Sequence, residues 1–342
     1  MKKTFILGAA LAAACAFTTT TFTSCDNNDD PVVNPDKTQD DADLDYSASN
    51  ATAWGNYMKN VAALLKSDAE KLYSQWAESY ENAGVNTGVP YATLFKNHDS
   101  RSGYSDVKSC AQEVVEKMAE IANEVGSSKI GDPYAKWTSG KQTEALYAVE
   151  SWYSWHSRDD YTNNIKSIAN AYYGKLNGSE TNMAEASMAK ALEGTAIDRT
   201  IRKQIADAQA AIQNITQPFR NHIGSTEAQQ AMEACAALQA SLSEVTNDED
   251  EVEAGAAAVN LRDAVNKLDE ATLQAIINNY VDNVVVPTYK NLKDQNAILY
   301  QTVNAFVANP SNDGFEACAT AWMNARQPWE TSEAFLFGPV AT

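Results

Sequence analysis

Residues 197–215 read IDRTIRKQIADAQAAIQNI, and the apolar positions Ile197, Ile201, Ile205, Ala208, Ile212 and Ile215 recur at steps of four or three. An α-helix makes one turn per 3.6 residues, so this spacing lines all six along one face, whereas a strand would need strict alternation. The stretch therefore predicts an amphipathic helix packed against other helices. The same period appears on either side of it. Tyr57, Val61, Leu64, Leu65, Leu72 and Trp76 fall on one stripe near the start, and Leu273, Ile276, Ile277, Tyr280 and Val284 on another near the end. The β-branched cluster Val284 to Val286 continues a helical stripe and is followed by Pro287, which kinks a helix more readily than it opens a sheet. The expected fold class is all-α.

Helix breaks are expected at Gly84–Pro90, Gly126–Pro133, Gly174–Gly178, Asn221–Ser225, the acidic run Asp248–Glu253 and Asn309–Pro310. They leave helices for two bundles, divided as residues 46–195 and 196–342.

The chain opens with Lys2 and Lys3, an apolar stretch from Phe5 to Phe17, and Ser24-Cys25 followed by Asp26, Asn27, Asn28, Asp29 and Asp30. That order is the pattern of a lipoprotein signal peptide, residues 1–24, with Cys25 acylated as the new N-terminus. Cys15 is the competing site, but cutting there leaves Phe17 and a threonine-rich run at the mature start. Residues 25–45 hold two prolines and many acids with few large apolar groups, a composition that cannot bury enough surface to fold, and read as a flexible acidic tether. No later segment has the roughly 20 consecutive apolar residues needed to cross a bilayer.

Beyond Cys25 the cysteines are Cys110, Cys235 and Cys318, an odd number without CxxC spacing, and read as small buried apolar residues. The formal net charge of -19 excludes nucleic acid as a partner, since phosphate binding needs a basic face. No phosphate loop, dinucleotide fingerprint or Ser-His-Asp arrangement occurs.

Two segments join polar and aromatic residues densely: Glu150–Gly174, ESWYSWHSRDDYTNNIKSIANAYYG, and Ala325–Pro339, ARQPWETSEAFLFGP. A helix through Glu150 would set Glu150 and Ser154 on one face and Trp152, Trp155, His156 and Asp159 on another. His156 and Asp159, three apart, would then reach a common metal, although a packed, hydrogen-bonded histidine is the plainer reading. Arg326 and Glu330, four apart, are in isolation a surface ion pair of small consequence. Their neighbours Trp329, Ser332 and Glu333, followed by apolar Ala334 to Phe337, make the segment read instead as an ordered pocket wall.

The second segment, with its arginine, Trp-Glu pair and Ser-Glu-Ala-Phe run, resembles a signature of the imelysin-like family. The first resembles that family's other polar stretch, with Glu150, Ser154, Ser157 and Asp159 on matching positions. Tyr57–Trp76 and the Gln217-Pro218-Phe219 turn are similar to further parts of the same fold. The resemblance implies two related four-helix bundles with a site between them, an envelope location and a link to iron acquisition. It departs from the family in two respects. The Arg-x-Pro-Trp-Glu segment usually opens the domain and here closes it, which implies a circularly permuted order, tolerable where domain termini lie close together. The family's Gly-x-His-x-x-Glu motif, expected after Phe337, does not occur before Thr342, so the chain is either truncated or a degenerate member.

Three functions follow as expectations. The first is a non-catalytic, lipid-anchored binding or accessory component of iron uptake, its ligand iron or an iron chelate and its partners the membrane and an uptake receptor. Hard oxygen ligands suit ferric iron, and Glu150, Asp159, Glu330 and Glu333 are the carboxylates on offer. Arg326 would clamp a chelate carboxylate or hold one of those acids. The second is a zinc metallopeptidase, for which HExxH is missing and His156 is the one credible histidine ligand. The third is a helical scaffold for an outer-membrane receptor.

Overall fold

The computed structural model describes residues 49–151, 153–243 and 260–340. The signal peptide, Cys25, the tether, Trp152 and the acidic run 248–253 lie outside the described residues. The helices in chain order are α1 (Ala51–Ala77), α2 (Tyr91–Lys96), α3 (Val107–Asn123), α4 (Gly131–Thr138), α5 (Gln142–Ala148), α6 (Ser157–Tyr173), α7 (Met188–Ala191), α8 (Ala196–Asn214), α9 (Thr226–Leu242), α10 (Leu261–Asn266), α11 (Glu270–Tyr280), α12 (Val286–Ala308) and α13 (Asn312–Glu330). Strand is confined, among the described residues, to a two-residue hairpin, β1 (Glu81–Asn82) and β2 (Val85–Asn86), in the break expected before Pro90. The fold is an all-α bundle.

Short polar residues stop and start these helices. Asp106, Ser225, Asp269 and Ser311 each accept a hydrogen bond from the backbone N–H three residues on, satisfying a donor that the first helical turn leaves open. The stripe from Ile197 to Ile215 is buried at every position. It packs α8 between α6 and α9, and α3 closes the ring by touching both α6 and α9. Replacing Ile205 by valine deletes one buried methyl group and is expected to lower the unfolding free energy by about 0.5–1.5 kcal/mol, measured by urea titration.

A second, smaller apolar cluster joins α1, α12 and α13 through Met58, Ala62, Leu65, Leu299, Val303, Phe306, Cys318, Ala321 and Ala325. Both clusters contain residues from either side of position 195, so the core does not divide at that boundary. Cys110, Cys235 and Cys318 are buried and form no disulfide among the described residues, as their spacing suggested.

Two expectations are corrected. On α1 the buried positions are Met58, Ala62, Leu65, Ala69 and Trp76, whereas Tyr57 and Leu64 face outward at 43% and 56% exposure. Two apolar stripes run side by side on this helix, and the position of α12 and α13 selects one. The break at Gly126–Pro133 is not a break: Glu124–Ile130 forms a π-helical segment that runs from α3 into α4. Gly126 is needed there for close approach rather than for a turn, because a Cβ on it would lie 2.9 Å from the Cβ of Cys235 on α9. A second π-helical segment, Val281–Val285, links α11 to α12 where Pro287 was expected to kink the chain.

Candidate functional site

Between Ala325 and Ala334 the chain passes from the smaller apolar cluster to the larger one. The residues of that crossing are Arg326, Glu330, Ser332 and Glu333, and they meet the buried face of α6. Arg326 donates from Nε to Asp160 Oδ1 at 2.9 Å and from Nη2 to Ser151 Oγ at 2.6 Å. Its Nη2 also lies 3.0 Å from Glu330 Oε1. Ser151 in turn donates to the second oxygen of Asp160. Asn164 Nδ2 donates to Glu330 Oε2 at 2.8 Å and to the Glu330 carbonyl at 3.2 Å. The Ala334 N–H donates to Ser167 Oγ at 2.9 Å, which fixes the chain leaving Glu333 against the same helix. The Ser332 hydroxyl is buried and donates to the Trp329 carbonyl at 2.7 Å, while Trp329 packs against the larger core.

The other cation is Lys129, on the π-helical segment between α3 and α4. Its Nζ lies 3.0 Å from Glu150 Oε2 and 3.7 Å from Glu124 Oε1. Burial opposes its charge, but Glu333, Glu150, Glu330 and Glu124 together outweigh burial and hold it above the usual lysine range. Glu333 is buried and has neither a hydrogen bond nor an ion pair within 4.0 Å among the described residues, although Lys129 is its principal electrostatic neighbour. Burial raises the Glu333 carboxyl, with Lys129 opposing and Glu330, Glu150 and Glu124 adding to the rise. Glu330 is also raised, by burial first, against the pull of Arg326.

Three buried carboxyls, Asp160, Glu330 and Glu333, thus share the buried cation Lys129 and the partly buried Arg326, with the half-exposed Glu150 at the edge. When every group is ionised the cluster carries excess negative charge in a medium that solvates it poorly, and it gains from a proton or another cation. The buried Asn164 Oδ1 has no hydrogen-bond partner among the described residues and leaves a further acceptor beside Glu330.

The structure brings together Glu150, Arg326, Glu330 and Glu333 of the residues singled out in sequence, and corrects how they were placed. Arg326, whose side chain is 13% exposed, pairs with a fully buried Glu330 rather than forming a surface pair. Glu150 is not helical: Glu150, Ser151 and residues 153–155 form turns, with Ser151 at φ 59° and Trp155 at φ 63°, and α6 begins at Ser157. Lys129 pairs with Glu150 and Arg326 donates to Ser151 within this connection. Ser154 and Ser157 are tied to its backbone, donating to the carbonyls of Ser151 and Glu150 respectively.

His156 and Asp159 contact each other directly. His156 Nδ1 lies 3.2 Å from Asp159 Oδ2, and Gln217 Nε2 donates to the other oxygen at 3.1 Å. The His156 contact holds Asp159 below the usual carboxylate range. Among the described residues no three His, Cys, Asp or Glu side chains converge as a metal group, so the four proposed carboxylate ligands are not preassembled around one ion. Sequence reasoning missed Lys129, Ser151, Asp160, Asn164 and Ser167. A signal existed for three of these: Asp160, Asn164 and Ser167 recur at steps of four and three in register with apolar Tyr161, Ile165 and Ile168, the pattern of a helix buried on both faces.

The fold and site define an all-α bundle protein with an acid-rich ion-pair cluster where two apolar cores meet. Residues 29–245 and 285–342 match the family model for imelysin, and the chain belongs to the imelysin family, which is named among the peptidases. The crystal structure of an imelysin peptidase from Bacteroides ovatus is similar at a TM-score of 0.76 and 50% identity, covering 87% of this chain and 80% of that one. That of a putative iron-regulated protein A precursor from Parabacteroides distasonis is similar at a TM-score of 0.51 and 36% identity, covering 55% and 54%. Iron-regulated protein A of Synechococcus elongatus is 38% identical over 71 residues, which span 19% of this chain and only 20% of that protein.

Proposed function

We propose that the protein is a non-catalytic binding or accessory component of iron uptake, exported and lipid-anchored to the cell envelope through Cys25, where it works with receptor components of the uptake system. The iron-related role has support from the family and from the names of the relatives in Parabacteroides distasonis and Synechococcus elongatus. The observation that carries the site is the excess of buried carboxyl over buried cation around Lys129 and Arg326. Such a cluster favours a cationic ligand, and Glu150 and Glu333 are the carboxylates not held by Arg326. Because no three-ligand metal group is formed among the described residues, the iron arrives keeping ligands of its own, as a chelate or aquo species. The late position of the Arg326–Glu330 segment fits a circularly permuted order of the family's bundles.

Titration of the purified protein with ferric citrate is the direct test. Binding that weakens at least tenfold in the double variant E330Q/E333Q, with helicity unchanged by circular dichroism, is the expected result. Undiminished affinity in that variant removes the site from the reading. Peptidase activity, which the name of the Bacteroides ovatus relative carries, is the competing reading, and zinc-dependent, chelator-sensitive cleavage by the purified protein would establish it.

A further inference from the structure

Lys129 is held by the outer carboxylates of the cluster rather than by the inner ones. Its side chain is 6% exposed, and its Nζ meets Glu150 at 3.0 Å and Glu124 at 3.7 Å, whose side chains are 36% and 52% exposed. The inner carboxyls Glu333 and Glu330 also act on its charge, but neither forms an ion pair with it. Glu333 is left with no hydrogen bond or ion pair among the described residues, and beside Glu330 the fully buried Asn164 Oδ1 has no partner there either. The interior of the cluster thus offers acceptors that Lys129 does not use, while the lysine leans on the carboxylates nearest to water.

The local backbone lets Lys129 move without disturbing the fold. In an α-helix residues five apart point about 140° from one another. Glu124–Ile130 is π-helical instead, with bonds closing between residues five apart, and this brings Glu124 alongside Lys129. The Lys129 carbonyl accepts from the buried Tyr161 hydroxyl at 3.1 Å, which pins the backbone and leaves the flexible four-carbon stem as the part that swings. Rotation of that stem carries the ammonium from Glu150 toward Glu124 and the surface. The three buried carboxyls Asp160, Glu330 and Glu333 then face Arg326 alone. Two of their charges are left unmatched in a medium that solvates them poorly, and two is the charge that a divalent cation supplies.

We infer that Lys129 is a tethered counter-ion in the cation position of this cluster, and that a hydrated divalent metal ion binds by displacing its ammonium outward onto Glu124. The inference rests on the reading of the cluster as a cation site, and adds the charge of the species it takes and the group that gives way.

Two measurements with ferrous ion under argon test it. In the unsubstituted protein, lysines are acetylated by a water-soluble N-hydroxysuccinimide ester and quantified by peptide mass spectrometry, with Lys203, 73% exposed, as the internal control. Ferrous ion is expected to raise the labelling of Lys129 severalfold and to leave that of Lys203 unchanged. In titrations, Lys129→Gln, which has no ammonium to displace, is expected to bind ferrous ion at least about tenfold more tightly than the parent, since a like charge has left the site. Adding Glu333→Gln should remove the gain. Should Lys129→Gln fail to fold, the labelling of the parent decides. Ferrous binding that E330Q/E333Q weakens, but that changes neither the labelling of Lys129 nor the affinity of Lys129→Gln, overturns the inference and keeps the site. Weaker binding by folded Lys129→Gln also overturns it, by showing that the lysine supports the ion rather than competing with it. Absence of ferrous binding in parent and variant alike, or binding indifferent to E330Q/E333Q, overturns the site and the inference together.

Discussion

Replacing Arg326 by alanine is expected to lower the unfolding free energy by about 3–5 kcal/mol at neutral pH, enough to threaten the fold of a domain of ordinary stability. The guanidinium sits between Asp160 and Glu330, both buried, and donates to Ser151 as well. Its removal leaves two carboxylates facing each other across an apolar gap, with Lys129 as the remaining buried cation of the cluster. Ser151 also loses its hydrogen bond from Arg326. Arg326→Lys should fall between the two, because an ammonium restores the charge but cannot reach Asp160, Ser151 and Glu330 with a planar fork. Urea titrations of the three proteins at one pH and ionic strength provide the measurement. A loss below about 1 kcal/mol for Arg326→Ala would mean that the pair behaves like an exposed one.

The second large effect concerns pH. Burial pushes the Glu333 carboxyl up to about 8, so the folded protein holds a proton that the unfolded chain releases near the ordinary glutamate value of about 4.3. Where the folded state binds more protons than the unfolded one, stability falls as pH rises, by about 1.4 kcal/mol per pH unit for each whole proton of difference. Glu333 therefore stabilises the fold at low pH, and that contribution is lost as pH climbs from about 4.3 through the raised value. Glu333→Gln keeps the shape and removes the titration. Near pH 4, where the group is largely protonated in both states, the variant should match the parent to within about 1 kcal/mol, and it should become the more stable as pH rises, by roughly 2 kcal/mol near pH 6 and by more at pH 9. Comparing the two curves cancels the titrating groups that do not interact with Glu333, and a difference that stays constant from pH 5 to pH 9 would show that Glu333 is solvated like a surface carboxylate.

Legibility in the sequence differed sharply between these groups. Arg326, Glu330 and Glu333 lie in one aromatic, polar segment that draws the eye without any structure. Lys129 does not, since a lone lysine beside Ser127 and Ser128 looks like part of a loop, and the glycines around it suggested a break. Its role comes from a π-helical path that turns it inward toward Glu150 and Glu333. Asp160 was hidden by adjacency: Asp159 and Asp160 are indistinguishable in the sequence, yet one pairs with His156 near solvent and the other with Arg326, 166 positions away, in the interior.

Helical periodicity, the caps Asp106, Ser225, Asp269 and Ser311, the acidic balance and the two polar aromatic segments are determined by the sequence alone. Each depends on residues within a few turns of one another, and local geometry is common to every chain that forms such helices. Tertiary structure alone decided which of two apolar stripes on α1 is buried, that Arg326 and Glu330 are an interior pair, and that Lys129 joins them. Burial and charge pairing are properties of contacts between distant segments, and a helix face has no inside until another element covers it.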